Sequence, residues 1–282
     1  MKRTEIRDGE PVAYNTKTKT AVIKEVTDSS IEIFTVDTVK GKKLSPEIVL
    51  KPERVTKNGR PFFAFPTLLG GCVQEDGTII LLVNYENLLI TKNQKMPYSE
   101  EAAESIDVLY VYEKGDIKNL KKYMFPQNEP SDGKNGGYFW EEPRDIQCSE
   151  KGIYLFSEKN YTDDDTFYHV YKPVRLLEKV ELSPQKDDKN ISTAALIVYD
   201  DIRFNYYSEK ENAVYVFTRF FESKTTEIHI LGLEDGYEIP EEPVEKTNGE
   251  FLFSETQDGR PLIFFVKTRT NIEEQKIELL TF

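Results

Sequence analysis

The sequence predicts an all-β protein of the β-propeller type with about five blades. Three observations predict it. Short runs rich in Val, Ile, Tyr and Phe recur along the 282 residues, separated by Gly, Asp, Asn and Lys turns. Several of these runs are apolar on both faces. One strand–turn–strand unit also recurs five times. A six-bladed ring and a two-sheet sandwich are the alternative architectures.

The strand runs, in chain order, are SIEIFTVD (30–37), TIILLVNY (78–85), DVLYVYEK (107–114), GIYLFSEK (152–159), TFYHVYKP (166–173), NAVYVFTRF (212–220), TEIHILGL (226–233) and PLIFFVKT (261–268). In GIYLF, Ile153 and Leu155 point one way while Tyr154 and Phe156 point the other. A strand with one wet face alternates apolar with polar residues, so burial on both sides requires a sheet between other layers. Propeller blades meet that requirement.

The repeated unit appears as VAYNTKTKTAVI (12–23), GGCVQEDGTIILLV (70–83), DIQCSEKGIYLF (145–156), RFNYYSEKENAVYVF (203–217) and EFLFSETQDGRPLIFF (250–265). Gly77, Gly152 and Gly259 stand where a tight hairpin wants positive φ, and Asn212 takes that place in the fourth unit. The final strand, KIELLTF (276–282), is expected to pair with an N-terminal strand and close the ring. Helix signals are confined to YSEEAAES (98–105) and DIKNLKKYM (116–124). The Pro/Gly/Asn-rich stretch 126–137 reads as an inter-blade loop, leaving one domain over 1–282.

Composition narrows the function. A net charge of −13 repels phosphate backbones, which argues against nucleic-acid binding. No apolar run is long enough to enter and cross a bilayer. The start, MKRTEIRDGEPVAYN, lacks the apolar stretch of a signal peptide, so a cytoplasmic or assembly-associated protein, including a viral one, is expected. Cys72 and Cys148 read as two small buried thiols, and two histidines leave little scope for metal chemistry. His169 and His229 read as satisfied strand residues. Asp163, Asp164 and Asp165 lack the spacing of a calcium loop and read as a solvated hairpin tip. The acidic segment 233–250 reads as an exposed inter-blade loop. No phosphate-binding, dinucleotide or serine-nucleophile motif occurs, so neither metal nor cofactor is expected.

The segment WEEPRDIQCSEKGIYLFSEKN (140–160) resembles part of the five-bladed propeller glycoside hydrolases, the group including families 43, 32 and 130. The match runs through Glu141-Glu142-Pro143-Arg144, the turn at 150–152, then Tyr154 and Phe156. The resemblance implies that Glu141 is a general acid or substrate ligand. Trp140 would stack on a sugar face, and Arg144 would bind ligand or pair with a carboxylate. Glycoside hydrolysis needs a second carboxyl group, for which Asp145, Glu86 and Asp201 are the available residues. The first-blade strands, where those families place an aspartate base, carry none here. Pro143 alternatively stiffens the entry to a strand.

The sequence therefore points to a non-catalytic propeller module that recognises a protein partner, or a glycan, through loops on one face, as part of a larger assembly. A glycosidase or phosphorylase using Glu141 is the alternative.

Overall fold

The computed structural model describes residues 9–44, 47–57, 60–88, 105–125, 139–149, 152–163, 166–177, 193–195, 201–220, 225–232, 242–257, 260–267 and 276–281. The chain forms two compact units, Met1–Gln127 and Asn128–Phe282.

The first unit holds two antiparallel sheets. The first comprises β1 (Glu10–Asn15), β2 (Thr20–Val26), β3 (Ile31–Asp37), β4 (Lys42–Lys43) and β5 (Ile48–Leu50), in the order β1-β2-β3-β4 with β5 also pairing β3. The second comprises β6 (Glu53–Lys57), β7 (Arg60–Val73), β8 (Ile79–Leu88), β9 (Ser105–Tyr112) and β10 (Leu120–Met124), ordered β10-β9-β8-β7-β6.

The second unit holds three more. The third sheet runs β11 (Phe139–Cys148), β12 (Ile153–Asp163), β13 (Thr166–Leu177), β14 (Thr193–Ala195). The fourth runs β15 (Asp201–Ser208), β16 (Ala213–Phe220), β17 (Thr225–Gly232), β18 (Glu245–Thr247). The fifth runs β19 (Gly249–Gln257), β20 (Arg260–Lys267), β21 (Lys276–Thr281). The all-β class is thus present, built from antiparallel meanders of the kind that make propeller blades.

All five repeated units are the hairpins β1–β2, β7–β8, β11–β12, β15–β16 and β19–β20. Each carries a β-bulge in its first strand, at Pro11/Ala13, Leu68/Gly70, Pro143/Asp145, Phe204/Tyr206 and Phe251/Phe253. A bulge adds one unpaired residue and bends the strand, so its recurrence at one place per sheet is a repeat that composition does not show. The first strands are also neighbours within each unit, β1 beside β7, and β11, β15 and β19 beside one another.

Burial on both faces is seen directly. In β8, Ile79, Leu81, Val83 and Tyr85 pack into a core shared with Ala13, Val22, Ile33 and Leu50 of the first sheet. The intervening Ile80 and Leu82 are buried as well. Ile153, Tyr154, Leu155 and Phe156 are all buried. The fourth sheet has a neighbour on each side. Tyr206, Tyr215, Phe217 and Ile228 pack with Phe251 of the fifth sheet. On the opposite face Tyr207 meets Tyr154 of the third sheet edge-on, ring centroids 4.8 Å apart.

Turn chemistry follows the sequence where it is described. Gly77 has φ 88° and Asn212 φ 51°, and Gly152 has φ 152°; Gly259 lies outside the described residues. In the first hairpin the positive φ falls on Lys19, at 57°, a residue type with no preference for it.

Three expectations are corrected. Residues 116–124 form no helix: a 3-10 turn, Glu113–Gly115, precedes the strand β10. Pairing with β9 decides this, because LKKYM gains ladder hydrogen bonds along its whole length. The other helix candidate, 98–105, lies outside the described residues apart from Ser105, which begins β9. The last strand, β21, pairs with β20; its expected closing partner, an N-terminal strand, falls partly on residues 1–8, which lie outside the described residues. Pro143 is not an entry hinge but sits within β11, an edge strand, beside the bulge, a setting in which sheets tolerate proline. Finally, Cys72 and Cys148 are both disulfide-bonded and not thiols.

Candidate functional site

Four of the sequence-predicted residues lie on β11. Trp140 is opposite Asn160 and Glu141 opposite Lys159 on β12. Arg144 is the bulged residue and is exposed. Asp145 follows it, half-buried, and its Oδ1 accepts the Ile146 N–H at 2.7 Å. That carboxylate therefore stabilises the bulge. Asp201 begins β15, opposite Arg219, and Glu86 lies on β8 of the first unit, between Phe65 and Ser105. Counted from the bulges, Asp201 occupies the register of Trp140, and Glu141 that of Ile202. The side chains of Trp140, Glu141, Glu86 and Asp201 lie outside the described part. The structure thus places these residues on strands without assembling a carboxylate pair from described side chains. Of the acidic triplet, Asp163 ends β12 and residues 164–165 lie outside the described residues, as do 233–241 of the acidic segment.

A different site is well defined at the opposite ends of these strands, where the hairpin turns lie. In the first unit four turns are joined side by side. Thr38 N donates to Lys19 O at 2.9 Å, linking the β3–β4 and β1–β2 turns. Asn15 Nδ2 donates to Gln74 O at 2.9 Å and Lys17 pairs with Glu75, reaching the β7–β8 turn. Lys114 N donates to Thr78 Oγ1 at 3.1 Å, adding the β9–β10 turn.

Each turn is also locked internally by an Asn or Asp side chain accepting backbone N–H groups two or three residues on, which replaces chain flexibility by fixed geometry. Asn15 Oδ1 takes Lys17 N and Thr18 N, and Asp37 Oδ1 takes Val39 N and Lys40 N. Asp76 Oδ1 takes Thr78 N, and Asp116 Oδ1 takes Lys118 N. The backbone N–H of Lys40, foremost, and that of Val39 hold the Asp37 carboxyl below its ordinary range.

The second unit shows the same device with tyrosines. Around the β15–β16 turn, Tyr154 OH donates to Glu209 at 3.0 Å and Tyr215 OH to Glu211 at 2.9 Å. Tyr207 OH donates to Asn212 at 3.0 Å. Sequence reasoning missed this rim because its links join residues tens of positions apart. The one legible signal was an Asn or Asp standing before each turn.

Two further polar groupings lie within the sheets. His229 is a satisfied strand histidine, its Nε2 3.2 Å from Thr218 Oγ1, but it is fully buried where the sequence predicts a half-buried one. In the first unit, Glu53 Oε1 accepts the Tyr110 hydroxyl at 3.1 Å, the Tyr85 and Tyr110 hydroxyls are 2.7 Å apart, and Lys122 pairs with Glu53 at 2.7 Å. This network ties β6 to β10, the two edges of the second sheet.

Burial pushes the Tyr85 and Tyr112 phenols up to about 12, and raises Tyr110, Tyr154 and Tyr215 as well. Unfolded, these phenols ionise near 10, so the unfolded chain loses protons first as pH rises. Their stabilising share is present below about pH 10 and is lost as pH climbs through the folded values. Phenolate absorbance is expected to rise together with loss of near-ultraviolet circular dichroism. Full tyrosine ionisation near pH 10 in a protein still folded would contradict this.

No family model and no curated protein matches the chain. Among solved structures, the β-propeller domain of the Trilobed protease from Pyrococcus furiosus, described as revealing an open velcro topology, aligns over 96% of each chain. Its identity is 11% and the TM-score 0.29. No helix among the described residues is long and apolar enough to cross a membrane.

Proposed function

We propose that the chain is a non-catalytic binding module of the propeller type. It recognises a protein partner, or a glycan, through the turn-bearing ends of its sheets. One observation carries this reading: the turns are locked by side-chain hydrogen bonds while their charged residues stay exposed. A surface whose loops are already ordered loses less entropy on binding, and this is the economy of a recognition site. Asp145 accepts the Ile146 N–H beside its bulge, a structural role that is consistent with the same reading.

The alternative, hydrolysis or phosphorolysis with Glu141 as general acid, is tested by the same experiment. A panel of aryl-α- and aryl-β-glycosides is incubated with the wild type and with Glu141→Gln. Release of the aryl group at the uncatalysed rate by both proteins is expected. Turnover by the wild type that disappears in Glu141→Gln would establish the enzyme instead.

A further inference from the structure

We propose that the β3–β4 hairpin is the docking surface for an acidic, extended segment of a partner protein that also carries aliphatic side chains. This deepens the binding-module reading and rests on it.

The hairpin is anomalous for this chain. The protein carries a net charge of −13, yet TVKGKKL (38–44) holds three lysines and no acid. Val39 through Leu44 are all exposed, Val39 at 73% and Leu44 at 52%. A single exposed aliphatic residue needs no explanation, but two bracketing a lysine cluster on a turn make a mixed cationic and apolar surface. Lys19 extends it from the neighbouring turn, to which Thr38 is hydrogen-bonded.

The lysines divide by function. Lys43 lies over the Phe34 ring, 4.2 Å from its centroid, and pairs with Glu47 at 3.1 Å, so it serves the sheet. Lys40 has a looser contact of 3.5 Å with Asp37, whose carboxylate already accepts two backbone N–H groups. Lys19 and Lys42 have no ion-pair partner among the described residues. Lys19, Lys40 and Lys42 are therefore the cations left to face a partner.

The turn itself is rigid. Gly41 N donates to Asp37 O at 2.7 Å and Leu44 N to Thr35 O at 2.8 Å. Gly41 has φ 64°, a conformation glycine adopts without penalty. Charge complementarity with the lysines selects carboxylates on a short segment that meets only this local patch, whereas a long polyphosphate strand would also meet the acidic remainder of the chain. The exposed Val39 and Leu44 select a ligand with aliphatic groups between its charges. Neither is aromatic, which disfavours a membrane interface as the partner.

The test uses the whole chain and a fluorescein-labelled octapeptide of alternating Glu and Val, followed by anisotropy at low and high salt. Salt-sensitive binding is expected. Lys19→Glu/Lys40→Glu/Lys42→Glu should weaken it by about tenfold, the sum of three exposed charge reversals. Val39→Ser/Leu44→Ser should weaken it severalfold, whereas Lys51→Glu, an exposed lysine away from the turns, should not. All positions are exposed, so unchanged melting temperatures certify the fold. Equal binding by the triple variant, no binding by the wild type, or sedimentation with phosphatidylserine vesicles in place of peptide binding would each overturn the proposal. Self-association abolished by the triple variant, without peptide binding, would overturn it in favour of a second copy. The binding-module reading falls only to glycoside turnover that Glu141→Gln abolishes, which none of these outcomes reports, so the two failures are distinguishable.

Discussion

Gln147→Leu is expected to lower stability by about 2–5 kcal/mol, the cost of stranding two buried backbone groups. Gln147 is buried near the end of β11, and its amide meets one residue of β15 twice. Nε2 donates to Tyr207 O at 3.0 Å, and Tyr207 N donates to Oε1 at 2.7 Å. β15 is the edge strand of the fourth sheet, so these two groups have no strand beyond them to bond. The primary amide offers the same donor and acceptor as a peptide unit and completes the ladder in miniature. Leucine fills similar space without either function. Urea denaturation of the two proteins checks this, with the slope unchanged and the midpoint lowered. A loss below about 0.5 kcal/mol would mean that water replaces the amide at little cost.

Phe217→Ala is expected to cost about 3–5 kcal/mol, at the upper end for a core truncation. The ring stacks on Phe251 with centroids 4.2 Å apart and planes 24° from parallel, beside Tyr206, Tyr215 and fully buried Ile228. This is where the fourth and fifth sheets meet. Phe217→Leu keeps most of the buried area and should cost less than half as much. Val39→Ala, at a position 73% exposed, is the surface control and should stay within about 0.5 kcal/mol. If Phe217→Ala fell in that same range, the fourth sheet would not be packed on both sides.

The particular residues show what was legible. Doubly apolar runs such as TIILLVNY and GIYLF announced sheets covered on both faces, because side chains alternate with a period of two whatever the context. The five hairpins were visible for the same local reason, and Asn212 and Gly77 marked two of their turns correctly. LKKYM was misread as helical because its composition suits either state and only its partner β9 decides. The motif WEEPR was visible as a sequence, but its place on a bulged edge strand was not.

By itself, then, the chain determined its class, its hairpins and its repeat, all of which follow from short-range alternation and turn stereochemistry. Only the tertiary structure decided the rest: the bulge common to every first strand, the amide of Gln147 completing another sheet's edge, and the joined rim of turns. Each of these depends on a hydrogen bond or register set by strands distant in sequence, and no local pattern encodes which partner will supply it.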